Sequence, residues 1–211
     1  MWLSGIGQYD CLEVNFDMSR AIEKYVRKQN KILEAARTLF LRGGYRQTSM
    51  DSVAEEAEVT KQTVYRYFPS KKDLFDEVLR FNAPKNDEYI FGDGDVISEL
   101  MEFSGELLRL LLTEERLGLY RLVIVESVSD SKLGEALNDL SQSRRRERLS
   151  DYISSKLFAD NAEKDAELLI SMLLSLRNKV LTGGSAMPDE VEIAEHCFYV
   201  VSLFINGRRA V

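Results

Sequence analysis

Apolar residues recur at helical spacing along almost the whole chain. Ile32, Ala35, Ala36, Leu39 and Phe40 fall at i, i+3, i+4, i+7 and i+8, which predicts a first helix over 22–42. Gly43-Gly44 stops it. Thr48 or Ser49 can cap a short second helix, in which Val53, Ala54 and Ala57 make a narrow apolar stripe. Glu58-Val59-Thr60 reads as a turn, and Thr60 caps a third helix over 61–67. There Val64 and Phe68, four residues apart, face inward, and Lys61, Gln62, Thr63, Arg66 and Tyr67 face outward. Pro69 ends that helix and Ser70 caps the next, with Leu74, Phe75, Val78 and Leu79 inward. The segment 82–95 carries Ala-Pro, Asn-Asp and Gly-Asp-Gly and reads as a loop. Five further helices follow over 96–112, 116–129, 133–157, 162–181 and 188–206, with Gly183-Gly184 dividing the last two. No period-two alternation persists, so the expected fold class is all-α.

The last two helices are apolar on more than one side. Leu168, Leu169, Ile170, Met172, Leu173, Leu174 and Leu176 crowd one, and Ile193, Cys197, Phe198, Val200, Val201, Leu203, Phe204 and Ile205 the other. A helix apolar nearly all round must bury both sides. One side can pack on its own body and the other on a second copy, giving an intermolecular four-helix bundle. The expected interface comprises Leu169, Met172, Leu173, Leu176, Phe198, Val201 and Ile205. The competing reading is a hairpin deeply buried within one domain.

Residues 48–72, TSMDSVAEEAEVTKQTVYRYFPSKK, pair a short helix with a second short helix bearing side chains suited to bases and phosphates. With Ile32, Ala35, Ala36, Leu39, Phe40, Gly44 and Tyr45 before it and Leu74-Phe75 after it, this stretch resembles the DNA-binding domain of the tetracycline-repressor (TetR) family of bacterial transcription regulators. The similarity is carried above all by Thr63-Val64-Tyr65-Arg66-Tyr67-Phe68-Pro69-Ser70-Lys71 and covers roughly 24–79. One position departs from the family pattern: Glu58 stands where the turn ordinarily has Gly, a residue that takes a left-handed backbone without strain. The resemblance implies an N-terminal three-helix helix-turn-helix domain followed by a C-terminal helical domain for ligand binding and dimerisation through the last two helices. The divisions expected are 1–18 as a disordered extension, 19–81 as the DNA-binding domain and 82–211 as the body.

Lys61 and Gln62, at the start of the third helix, are the expected base readers. Lysine donates to guanine O6 and N7, and glutamine pairs with adenine N6 and N7. Arg66 suits a base or a phosphate. Thr63, Tyr65, Tyr67 and Lys71 suit phosphates, the use the family makes of the matching positions, while Tyr65 could equally be partly core. Thr48 and Ser49 offer hydroxyl or helix N-terminal N–H groups to a phosphate.

Charge at first argues the other way, with a net −7 and an isoelectric point near 5.0. Its distribution restores the reading. Residues 19–72 hold twelve Lys plus Arg against six Asp plus Glu, a local +6 that leaves −13 elsewhere. A basic head on an acidic body suits a protein that brings one part to DNA and keeps the rest away. Cys11 and Cys197 are far apart and in no metal or redox spacing, which fits a reducing cytoplasm. No apolar run approaches a membrane span.

In the body, Met101, Phe103, Leu107, Tyr120, Val123, Ile124, Ser127 and Met172 are candidates for an effector pocket, weighed against ordinary core. Glu126, inside the run LVIVESV, is either a pocket acid or the partner of Arg121 or Arg177. Arg144, Arg145, Arg146 and Arg148, with Glu147, Glu135 and Asp139 close by, read as a solvated ion-paired face. His196 reads as structural, and no phosphate loop, nucleophile elbow or zinc spacing occurs, so no enzyme, cofactor or metal is expected. The sequence thus points to a homodimeric cytoplasmic regulator, usually a repressor, bound to a double-stranded palindromic operator and released by a small, mostly apolar effector. The alternative is a helical adaptor controlled through a protein partner.

Overall fold

The computed structural model describes the backbone of residues 10–82, 89–127, 131–157 and 159–209, and the side chains of residues 20–82, 89–127, 144–157 and 159–207. The described residues form helices joined by turns, with no strand among them. The chain divides into two compact units, Met1–Phe81 and Asn82–Val211.

The head is built on α1 (Asp10–Gln47), α2 (Met50–Glu56), α3 (Lys61–Tyr67) and α4 (Lys71–Phe81). Helix α1 starts twelve residues before the predicted 22, because 10–21 contains neither Gly nor Pro and gives the backbone no reason to leave the helix. Residues 1–9 of the expected extension lie outside the described residues. Gly44 interrupts α1 with φ 80 and ψ 162, and the chain then turns toward α2. Ser49 and Ser52 close a reciprocal capping box on α2, the Ser49 hydroxyl accepting from the Ser52 amide at 3.0 Å. Thr60 caps α3 and Ser70 accepts from the Asp73 amide at 3.1 Å. Ile32, Ala36, Phe40, Val64, Leu74, Phe75 and Val78 are fully buried between these helices. Phe75 meets Phe40 edge-on at 5.1 Å and Tyr45 at 4.8 Å, so one aromatic knot ties α1 to α4.

The body comprises α5 (Val96–Leu111), α6 (Glu114–Ser127), α7 (Ser131–Leu157), α8 (Ala162–Leu181) and α9 (Glu190–Arg209). Helix α8 packs on α7 and α5 on α9, around a core that includes Leu100, Phe103, Leu107, Leu149, Ile153, Leu169, Leu173 and Val201. Helix α8 ends where Gly183, at φ 75, lets the Gly184 amide reach back to the Lys179 carbonyl at 2.8 Å. The Arg121 guanidinium donates to the Val180 carbonyl at 3.1 Å and the Leu181 carbonyl at 3.4 Å, tying α6 to the C-terminal end of α8. Asp189 and Glu192 close a second capping box at the start of α9.

The part of the 82–95 segment next to α5 is more than a loop. Phe91 stacks on Tyr152 at 4.2 Å and 14°, and meets Phe103 at 5.3 Å and Tyr89 at 4.8 Å. Glu99 accepts from the Gly92 amide at 2.8 Å, and Lys156 pairs with Asp93 at 3.0 Å. This segment therefore enters α5 from a fixed seat on the body. No helix is long and apolar enough to cross a membrane among the described residues.

Candidate nucleic-acid interface

Helix α3 owes its outward face to one buried residue. Val64 is completely enclosed and Phe68, just past the helix, nearly so. With that side fixed inward, Lys61, Gln62, Tyr65 and Arg66 are exposed, and Thr63 and Tyr67 are half-buried. The turn before α3 is as tight as the sequence implies. Glu58 has φ 49, the one positive φ at a non-glycine among the described residues. Its carboxylate is gripped by the Lys31 ammonium, whose hydrogen bond and charge hold the Glu58 carboxyl below the usual carboxylate range. The acid near the DNA face is thus partly neutralised from α1.

The remaining candidates separate into outward groups and groups the head already uses. The Gln62 and Arg66 side chains are exposed, with Arg66 lying 5.4 Å from the Tyr67 ring centre. Lys61 is exposed but pairs with Asp51 of α2 at 2.7 Å, and that contact raises its pKa. Any anion approaching this ammonium has to compete with Asp51. The Thr63 hydroxyl shares a hydrogen bond with Thr60 at 2.9 Å. Tyr65 is 42% exposed, so its ring is free to meet a backbone rather than filling the core. Tyr67 packs against Tyr25 of α1 with ring centres 4.6 Å apart and planes tilted by 36°.

Thr48, Ser49 and Lys71 hold the head together. Thr48 is buried and its hydroxyl donates to the Gly44 carbonyl at 2.9 Å. The Ser49 hydroxyl is taken by the capping box. The Lys71 ammonium donates to the carbonyls of Tyr45 at 2.9 Å, Thr48 at 3.0 Å and Arg46 at 3.3 Å, and lies 4.5 Å from the Tyr45 ring centre. It closes the turn that Gly44 opens. Tyr25 and Asp51 are additions that sequence spacing does not suggest, since each meets α3 only through the tertiary fold.

This geometry coincides with known families. Residues 32–78 match the model of bacterial regulatory proteins of the tetR family, and residues 98–207 match the C-terminal domain of AefR-like transcriptional repressors. The chain belongs to the TetR family. It is 28% identical over 184 residues to the transcriptional repressor KstR of Mycolicibacterium smegmatis, covering 76% of this chain and 90% of that one. It is 26% identical over 196 residues to the HTH-type regulator YvkB of Bacillus subtilis, covering 86% and 98%. A crystal structure of a TetR-family regulator from Mesorhizobium loti superposes with a TM-score of 0.74 at 28% identity, over 86% of this chain and 96% of that chain. The flavonoid-responsive regulator FrrA shares the fold, with a TM-score of 0.73 at 23% identity over 86% and 96%.

In the TetR-type body the pocket candidates do not form one group. Phe103, Leu107 and Val123 are enclosed, and Met101, Tyr120 and Met172 half-buried. Ile124 is 50% exposed, and the Ser127 hydroxyl donates to the Ile124 carbonyl at 2.9 Å. Glu126 is buried, but both arginines considered for it are engaged elsewhere: Arg121 on the end of α8, and Arg177 on Tyr120 of α6 at 4.1 Å from the ring centre. Arg177 is itself buried; among the described residues it donates only to Asn178, at 3.3 Å, and its Nε and Nη1 have no acceptor. Arg145, expected on a solvated face, is buried as well, and desolvation lowers its pKa.

The interface candidates likewise split. Leu169, Leu173, Val201 and Ile205 lie in the protomer's own core, while Met172 and Leu176 are half-buried and Phe198 is 63% exposed. The apolar groups of α8 and α9 that one chain leaves to solvent also include Leu168, Val191, Tyr199 and Leu203. Leu168, Met172 and Leu176 run at i, i+4 and i+8, one outward row on α8.

Proposed function

We propose that this TetR-family regulator works as a homodimeric repressor that reads a palindromic operator with α3 and is released by a small molecule bound in its body. The observation that carries the proposal is the exposed face of α3, where Lys61, Gln62 and Arg66 project from a helix fixed by Val64. Such a helix enters the major groove with its N-terminal side chains at base edges. Dimerisation follows from Leu168 on α8, exposed at the head of a row with half-buried Met172 and Leu176, and from Phe198, Tyr199 and Leu203 on α9, large apolar side chains that one chain leaves uncovered. A two-fold axis then sets two half-sites a helical turn apart, about 34–36 Å.

The effector reading rests on Arg177. A buried guanidinium with two unmet donors is costly unless an acceptor arrives. An effector of apolar bulk carrying an acidic or carbonyl oxygen supplies one, with Tyr120 as its flat neighbour. The flavonoid-responsive relative with the same fold is in keeping with this. By linkage, an effector that weakens operator binding tenfold is bound tenfold less tightly by the operator complex, about 1.4 kcal/mol of coupling. The test is a mobility-shift assay on duplexes upstream of the protein's own gene and its neighbours, followed by a small-molecule screen for release. A retarded complex that Gln62→Ala and Arg66→Ala abolish supports the operator reading. Failure of the wild-type chain to retard any of these duplexes beyond non-specific DNA overturns it.

A further inference from the structure

Helix α1 carries a row of cations of which the helix-turn-helix engages one, Lys31, through Glu58. Arg20, Lys24, Arg27, Lys28 and Lys31 stand at i, i+4, i+7, i+8 and i+11. At 3.6 residues per turn they fall within an arc of about 100°, a single stripe roughly 16 Å long. Arg20, Lys24, Arg27 and Lys31 are exposed and Lys28 is half-buried. Among the described residues, Lys24, Arg27 and Lys28 have no acidic partner.

The head fixes where this stripe lies. Tyr25 packs against Tyr67, the last residue of α3, and Lys31 reaches Glu58, in the turn just before its first. Six residues of α1 advance about 9 Å, the length of the seven-residue α3. Helix α1 therefore reaches both the last residue of α3 and the turn before its first. An open groove of about 820 Å³ separates α1 from the turn, and its walls include Lys24, Arg27, Lys28, Lys31, Glu58 and Val59.

We infer that this stripe is a second DNA-binding surface, which grips the phosphate backbone beside the half-site read by α3. The chemistry it selects is a polyanion of regular spacing. Lysine and arginine on a helix face meet phosphates without reading bases. Non-specific affinity and its salt dependence should therefore depend on the stripe, while base preference stays with α3. The inference rests on the DNA-binding reading of α3.

The experiment titrates the full chain against a labelled 30-base-pair duplex of arbitrary sequence by fluorescence anisotropy, from 50 to 200 mM KCl. Three proteins are compared: wild type, K24Q/R27Q/K28Q, and a control, R37Q/R42Q/R80Q, that removes the same charge from other parts of the head. Each lost phosphate contact lowers the salt slope by about 0.9, so the stripe variant should lose about 2.7 per engaged protomer. Over that fourfold range in salt, its affinity should then fall roughly 40-fold less than wild type does. The control should keep most of the wild-type slope, and circular dichroism melts should confirm that the stripe variant is folded. Equal slopes for wild type and stripe variant overturn the inference. So does an equal loss in the control, which would make the effect one of net charge. A wild-type chain that binds no duplex overturns the DNA reading itself, whereas binding with an unchanged slope overturns only the role of α1.

Discussion

Lys71 offers the sharpest separation between a DNA contact and a structural staple. Its position invites a phosphate role, yet its ammonium is committed to three carbonyls and the face of Tyr45. Two of those bonds, to Tyr45 and Thr48, are partly buried and near 3 Å. A hydrogen bond from a charged donor contributes about 1.5–3 kcal/mol, and a partly exposed cation–π contact about 0.5–1. The contacts share one ammonium and do not add, and water can replace part of what Lys71→Ala removes. A net loss of about 2–3 kcal/mol is the sensible sum. For a chain above 150 residues that lowers Tm by about 4–12 °C, read by calorimetry. Hydrogen exchange should quicken first in residues 45–50, whose turn the ammonium closes. Lys71→Arg should recover part of the loss, since it restores charge and donors but not the reach to three carbonyls. A phosphate-only role gives the opposite pattern: an unchanged melt and a salt slope lower by about 0.9. An unchanged Tm in Lys71→Ala would refute the staple.

Asp51→Asn should release Lys61 and tighten operator binding about two- to fivefold at low salt, measured by anisotropy, because an exposed ion pair is a weak competitor. Phe198→Glu should leave a folded monomer in sedimentation, since Phe198 is exposed in one chain, whereas Leu173→Glu should unfold the body by burying an uncompensated charge. Arg177→Met should raise the ligand-free Tm by about 2–8 °C, from roughly 1–2 kcal/mol, while weakening any acidic effector in calorimetry. Because Lys31 depresses the Glu58 carboxyl, their pair supports the head above the unfolded carboxylate pKa and is lost as pH falls through the lower folded value. Glu58→Gln should remove that acid-side component from a pH series of melts.

What the sequence made legible was what local spacing encodes. The all-α class and the helix-turn-helix rest on periodicity, caps and breakers, and the structure follows them: Ser49, Thr60 and Gly183 sit where such residues are needed. The strained turn was legible too, since Glu58 keeps the left-handed geometry of the glycine it replaces. Helix α1 begins earlier than predicted because nothing in 10–21 breaks it, and absence of a stop is a weaker signal than a stop. Roles set by tertiary contact were not legible. Lys71 resembles any basic residue near DNA until the chain returns Tyr45, Arg46 and Thr48 to it from 23–26 residues away. In residues 166–176 of α8, ten apolar or small residues in eleven leave little polar signal to fix the phase, so inward Leu169 and Leu173 could not be told from exposed Leu168 and half-buried Met172.

The same limit bears on how charge is arranged for function. A net −7 would repel DNA if it were spread evenly, and the +6 of residues 19–72 answers that only on average. The head resolves it locally for two acids next to α3 by placing a lysine against each. Asp51 holds Lys61 and Glu58 holds Lys31, so no carboxylate of that pair faces an approaching phosphate uncompensated. Both pairs are exposed, hence weak and sensitive to salt. If α3 enters a groove as proposed, these pairs would keep two cations close to it at small cost and yield them to a denser anion. Exchanging a carboxylate for a phosphate conserves the lysine's contact while releasing counterions from DNA, which is the term that drives association. On the proposed reading, an acid paired in the free protein would act as a placeholder for the backbone. Replacing Asp51 or Glu58 should raise non-specific affinity more than operator affinity, and so narrow the ratio between them. A specificity ratio unchanged in both variants would show that the two pairs serve stability alone.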